Sequence, residues 1–471
     1  MSIIQGTSKS AGGAAFDTEL IPNSVWFDGS ADFMSKTFGS GSAQTKIVWS
    51  SWVQRLKFGS AQDIFGAIGG TGGASRQNRI HFQSDDTIDI QIETTTIKTI
   101  IYSTTKVFRD IGWYHILLSI DQGQSVGPAQ VNLFVNGVAV TIAATVLDQG
   151  FTAALSSWGN AAAHSIGKST TFCAAYQAQA TMLVGKSIQA GDVAVTDFLE
   201  AFSYGTNGSQ FGPKANADVA ALASTAGGNS FCLDFANSSD LGNDISSNNN
   251  DFSPTSMAAV NQSTNTPSNV YCTFNILQPT DSTMTFSEGN LRVTSNSGGD
   301  GGAIGTLPMS TTGTTEFQVK TNNAKGRVGI TCLENLQNVS GASTNVTAGQ
   351  NIMYDAAYAL VEQGRRIVVL SSGRTDTESF GPSWSSGDVI TVRYNADDNE
   401  ITFLVNNSVV SGGTTATVAG LTYYPFLSRH NDYDITGFFD SADFPHTIGS
   451  GNIEVNSANL TAPEFQGADF F

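Results

Sequence analysis

The sequence predicts an all-β protein built as two tandem antiparallel β-sandwiches with few short helices. Charged residues are scarce, 13% of the chain, against roughly 25% in ordinary globular proteins. Gly supplies 49 of the 471 positions, and Ser, Thr and Asn are abundant. That balance marks a chain with many turns between sheet surfaces. Apolar residues recur at every second position, the period of a strand with one face in a core. Two hairpin patterns of the same kind stand far apart, at 130–142 and 387–406, which points to a repeated sandwich and not to a solenoid of short units. With 29 Phe, 11 Tyr and 6 Trp, both sandwiches have ample core material.

Residues 1–22 are small and polar and read as an N-terminal arm. They lack a basic stretch followed by an apolar one, so no secretory leader is expected. Thr87–Glu93 alternates Ile88, Ile90 and Ile92 with Asp89, Gln91 and Glu93, the pattern of a half-buried strand. In Gly112–Asp121, Tyr114, Ile116, Leu118 and Ile120 share one face. Gln130–Ile142 holds two strands joined at Asn136-Gly137, the strongest short hairpin signal, because both turn positions need positive φ. Helical signals are confined to Thr196–Phe202, with Thr196 as N-cap, and Asn216–Ala223.

Residues 231–275 have no basic residues and are crowded with Asn, Ser, Thr and Asp. These side chains compete for backbone hydrogen bonds, so the segment reads as irregular turns. The stretch at 276–283 has a Pro and no periodicity, which sets a first domain over 23–276 and a second over 283–471. In the second, strand signals resume at Thr285–Thr294, and Gly387–Asn406 is a hairpin across an Ala-Asp-Asp-Asn turn.

The formal net charge is −18, and the longest basic element is Arg365-Arg366. Neutralising phosphates needs clustered Lys and Arg, so nucleic acid and anionic membranes are not expected partners. No run of 18 apolar residues predicts a membrane span. Cys173, Cys232, Cys272 and Cys332 form no CxxC pair, which excludes a zinc ribbon. Buried free thiols are expected, with a Cys232–Cys272 bridge as the open alternative.

The first half resembles laminin-G-like, concanavalin A-like jelly rolls. The carriers are VWFDGSADF (25–33), IVWSSWVQRLKF (47–58), GWYHILLSID, NLFVNGV, HSIGKS (164–169) and the TDFLEAF segment. SFCLDFANSSDLGNDISSNNNDFS (230–253) is similar to the closing module of tail and virion proteins of bacteriophages and aquatic viruses. The second half resembles a SPRY domain through FSEGNLRV, GDVITVRYNADDNEITFLVNN and LTYYPFLSRHNDYDITGFF (421–439). Asn406-Asn407 stands where that family often has Asn-Gly; Asn also tolerates the left-handed region. Both families are binding scaffolds whose contacts come from loops.

Folds of the first type also host glycosidases and lyases. A retaining glycosidase needs two carboxylates about 5 Å apart, and no run of the ExDxxE kind is read here. Asp85-Asp86-Thr87-Ile88-Asp89 reads as a solvated turn, and Arg79-Ile80-His81 as a weak lyase cluster. Among the five His there is no HExxH, so no transition metal is expected. No cofactor is expected; calcium is the one ion with matching ligands, at Asp240, Asn243 and Asp244. The expected contact region for a ligand is the 423–433 loop, with Tyr423, Tyr424, Arg429, His430, Asp432 and Tyr433.

The resemblances and these residues together lead to a non-enzymatic virion protein. The expected role is a phage tail fibre or surface appendage that binds a host receptor or glycan, with synthesis in the host cytoplasm and assembly as a homo-oligomer with other virion proteins as further expectations. The alternatives are a head decoration protein that stabilises the particle and a polysaccharide depolymerase.

Overall fold

In a computed structural model, the described residues are 20–69, 76–96, 99–125, 127–146, 151, 153–203, 209–277, 284–295, 300–332, 356–370, 373–430 and 432–460. The arm before Leu20 and the terminal residues 461–471 lie outside them, as does most of the 276–283 stretch. The chain is all-β and divides into two units between Asn269 and Val270. That division precedes the stretch that the sequence marks as aperiodic. Its cause is local pairing of 270–275 with the second unit: the N–H of Cys272 donates to Val455, that of Phe274 to Asn290, and that of Asn275 to Ile304.

In the first unit one sheet runs in the order 138–140, 131–135, 113–121, 46–55, 174–184, 24–28 and 262–263, with 231–233 also paired to 174–184. The other runs 142–146, 100–104, 88–92, 77–82, 62–68, 163–166, 33–37 and 253–255. Their facing sides make the core, where Trp49 stacks on Phe65 with centroids 4.0 Å apart, and Phe231 meets Phe252 at 4.6 Å. Tyr114, Ile116, Leu118 and Ile120 all enter this core, as their spacing predicts. Leu117 points the other way, into a second apolar layer with Val48, Leu183, Phe198 and Val219.

That layer lies beneath helix Asn216–Ser224, close to its expected place. The other expected helix is not there: only Val195–Asp197 forms a short 3-10 turn, and Leu199–Ser203 is a strand paired with Ser209–Pro213. Here burial of the Phe198 side chain and strand pairing override a weak local propensity. At the hairpin, Asn136 and Gly137 have φ of 51° and 78°, and the Asn136 side chain accepts a bond from the His115 N–H.

The second unit pairs a seven-stranded sheet with a six-stranded one. The first has the order 284–287, 292–295, 433–438, 314–321, 389–395, 400–405 and 408–416; the second has 300–304, 423–430, 327–332, 356–361, 366–370 and 373–377. Phe317 stacks against Phe439 at 5.7 Å in its interior. Asn406 and Asn407 take φ of 47° and 63° at the tip joining 400–405 to 408–416, so the Asn pair performs the turn that Gly often performs. The four cysteines are buried free thiols; burial pushes those of Cys173, Cys232 and Cys272 up to about 12. No helix among the described residues is long and apolar enough to cross a membrane.

Candidate binding sites

The 423–433 region is not a loop. Tyr423–His430 and Tyr433–Phe438 are strands of different sheets. Tyr423 is buried between Tyr358 and Tyr394, and its hydroxyl donates to the Val418 carbonyl at 2.9 Å. Tyr433 is buried, Tyr424 is half-buried, and Asp432 pairs with Lys325. The Arg429 and His430 side chains lie outside the described residues. Strand 423–430 runs between 300–304 and 327–332, so alternate side chains must face the core. A polar-aromatic composition alone does not reveal that placement.

The expected calcium ligands are organised as a loop brace. Asp244 accepts the N–H groups of Cys232 and Ser246 on one oxygen, and the Ser246 hydroxyl and Asn250 N–H on the other. Asp240 is exposed, and Asn243 is half-buried. A carboxylate filled by four protein donors has little left for a cation, which takes six to eight oxygens. Among the described residues no group of three or more His, Cys, Asp or Glu is placed to hold a metal.

The acidic run at 85–89 is a solvated turn only at its start, where Asp85 is exposed; Asp86 and Asp89 are buried. Asp86 is buried and bonded to Arg55 at 2.9 Å and to Arg109 at 2.5 Å. Burial opposes its charge, but the Gly59 N–H and the two arginines outweigh that and hold its carboxyl below the usual range. Strand 88–92 is buried on both faces. Its polar side aligns Asp63, His81, Asp89 and Ser103 across four strands in register. Asp63 accepts from Arg79 and from the N–H groups of Thr170 and Thr171. His81 faces Asp63 at 3.6 Å and Asp89 at 3.9 Å, with neither ring nitrogen hydrogen-bonded. Burial, with Arg79 beside it, pushes the imidazole down to about 4. Asp89, Gln91 and Glu93 do share one face, with an amide at the middle position, and Gln91 bridges Arg79 to Glu93. This network is closed: at 2% exposure His81 is out of reach of a substrate proton.

An open cleft with charged and polar walls is in the second unit. Across its seven-stranded sheet, Glu316 stands opposite Arg393, and Arg393 opposite Thr402. Glu316 is fully buried; one oxygen accepts from Arg393 Nε at 2.8 Å, Asn452 Nδ2 at 2.7 Å and the Gly449 N–H at 3.1 Å. Gln318 binds the backbone of His446 through both its amide atoms. These bonds hold the 446–452 segment over the sheet. Between segment and strands lies a cleft of about 300 Å³, lined by Thr314, Arg393, Asn395, Glu400, Thr402 and Asn452, with Gly449 and Ser450. Sequence reading misses it because its parts lie far apart: Glu316 and Asn452 are 136 positions from each other. The alternation of Glu316, Gln318 and Lys320 with Phe317 and Val319 is the only local signal.

No protein-family model matches the chain, and no curated protein matches it. Among solved structures it is similar to the SPRY domain of human HERC1, at 14% identity and TM-score 0.26, covering 35% of this chain and 96% of that one. It is similar to the TRIM65 PSpry domain at 9% identity and TM-score 0.28, covering 36% and 91%. The native heptameric SAP-like pentraxin from Limulus polyphemus follows at 11% identity and TM-score 0.27, covering 36% and 77%. Likeness at this level extends to no function.

Proposed function

We propose that this chain is a structural protein of a virus particle, a tail fibre or surface appendage that binds a host-surface glycan or receptor without catalysing a reaction. The observation that carries the binding half of the reading is the cleft over Glu316 and Arg393. It is open, walled by hydrogen-bonding side chains and built on paired strands, which hold contact groups more rigidly than loops do. The virion half is supported by the resemblance of 230–253 to the closing module of viral tail and virion proteins. The non-enzymatic half is supported by the burial of His81 and the full occupation of Asp63. On this reading the partners are other virion proteins and further copies of the chain.

Antibody raised against the purified protein should label tails or fibres of intact particles in electron microscopy, and the free protein should compete with particles for host cells. Label spread over the head, without competition, would transfer the protein to the decoration class. Loss of viscosity in host polysaccharide would make it a depolymerase.

A further inference from the structure

We infer that the cleft in the second unit takes a neutral saccharide through a pair of adjacent hydroxyls, an inference that rests on the binding role proposed above. The argument concerns which groups are already used. Arg393 gives its Nε to buried Glu316, so its charge is compensated from below. Its two terminal nitrogens carry no protein partner among the described residues and present donors to the cleft. Glu400 lies on the same wall, since Asn395 is its cross-strand partner and Arg393 sits two positions before Asn395. Its exposed carboxylate has no partner among the described residues, and it forms no ion pair with Arg393. Asn452 spends its amide nitrogen on Glu316, which leaves its oxygen as an acceptor. Ser450 and Thr314 add hydroxyls at the rim.

A ligand here must accept from Arg393 and donate to Glu400 within one small space. A carboxylate, sulfate or phosphate only accepts, and would bring a third anion beside Glu316 and Glu400. An ammonium only donates, and would face Arg393. A hydroxyl does both. Two neighbouring hydroxyls match the two terminal nitrogens of a guanidinium, whose donors are held in a fixed plane. The lining is polar, so an apolar ligand gains nothing there.

The test uses the whole chain and a panel of neutral methyl glycosides (gluco, galacto, manno and fuco), with glucuronate, glucosamine and inorganic sulfate. Binding is read by saturation-transfer NMR and calorimetry. At least one neutral glycoside should bind, roughly tenfold tighter than glucuronate or glucosamine. Arg393 supports a buried carboxylate, so its removal endangers folding; Glu400→Gln and Ser450→Ala are the informative variants. Glu400→Gln should weaken the neutral glycoside several-fold and narrow its advantage over glucuronate. Tighter binding of sulfate or glucuronate than of any neutral glycoside would overturn the ligand class and leave the cleft as a binding site. If no panel member binds while the chain is still retained on host polysaccharide, and Glu400→Gln does not alter that retention, the cleft itself is refuted.

Discussion

Acid should destabilise the first unit while low-titrating carboxylates such as Asp86 are still charged, because its histidines are buried in the neutral form. His164 is fixed in one tautomer: its Nδ1 donates to the Ala162 carbonyl, and its Nε2 accepts the Gly159 N–H, each at 3.0 Å. His115 is fully buried, with Nε2 on the Ser50 hydroxyl at 2.8 Å. Burial pushes them from 6.5 down to about 4 and about 3. Between those values the unfolded chain holds more protons than the folded one. Their contribution is therefore complete above pH 6.5 and drains as pH falls toward 4. His81, buried in the same unit and likewise pushed down to about 4, adds to them. Each histidine costs about 2 kcal/mol at pH 5, so the three together remove about 6 kcal/mol from a domain stability of roughly 5–15. For a unit of this size that lowers Tm by roughly 12–24 °C. Trp26, Trp49, Trp52, Trp113 and Trp158 lie in this unit and only Trp384 in the other, so tryptophan fluorescence during heating reports mainly on it. The carboxylates held low, such as Asp86, respond only at more acid pH and do not confuse the comparison. His164→Gln should reduce the Tm difference between pH 7.5 and pH 5 by about a third, whatever its own stability. An unchanged Tm for the parent protein at the two pH values would refute the reasoning, as would a full difference in the variant.

Gly242→Ala should destabilise the first unit by about 3 kcal/mol or prevent folding, because an added Cβ would sit 1.6 Å from the Phe252 carbonyl oxygen; urea unfolding measures it. Asp244→Asn should cost about 2 kcal/mol by weakening four bonds at one loop, whereas calcium or a chelator should leave the parent Tm unchanged. Alkylation under denaturing, non-reducing conditions should add four groups per chain, one for each free cysteine, and a Cys232–Cys272 bridge would lower that count in the mass spectrum.

Much of the fold is legible where the signal is local. Asn136-Gly137 dictates its hairpin through positive φ, and Ile88, Ile90 and Ile92 dictate which face of their strand enters the core. The failures come from contacts that local patterns do not carry. Asp86 looks solvated until Arg55 and Arg109 arrive from other elements. Leu199–Ser203 scans as helix, but its partner strand begins at Ser209. Tyr423 and Tyr433 look like a binding surface because aromatic residues serve cores and contacts equally well. The cleft is the least legible part, since Glu316 gains its role from Asn452 and Gly449 late in the chain.

Equilibrium binding of the intact protein to purified host-surface polysaccharide, with reducing ends assayed in the same samples, tests the central claim most directly. Saturable binding that Glu400→Gln weakens several-fold, with no new reducing ends, is the predicted result. Absence of binding, or chain cleavage that accompanies it, would contradict the account.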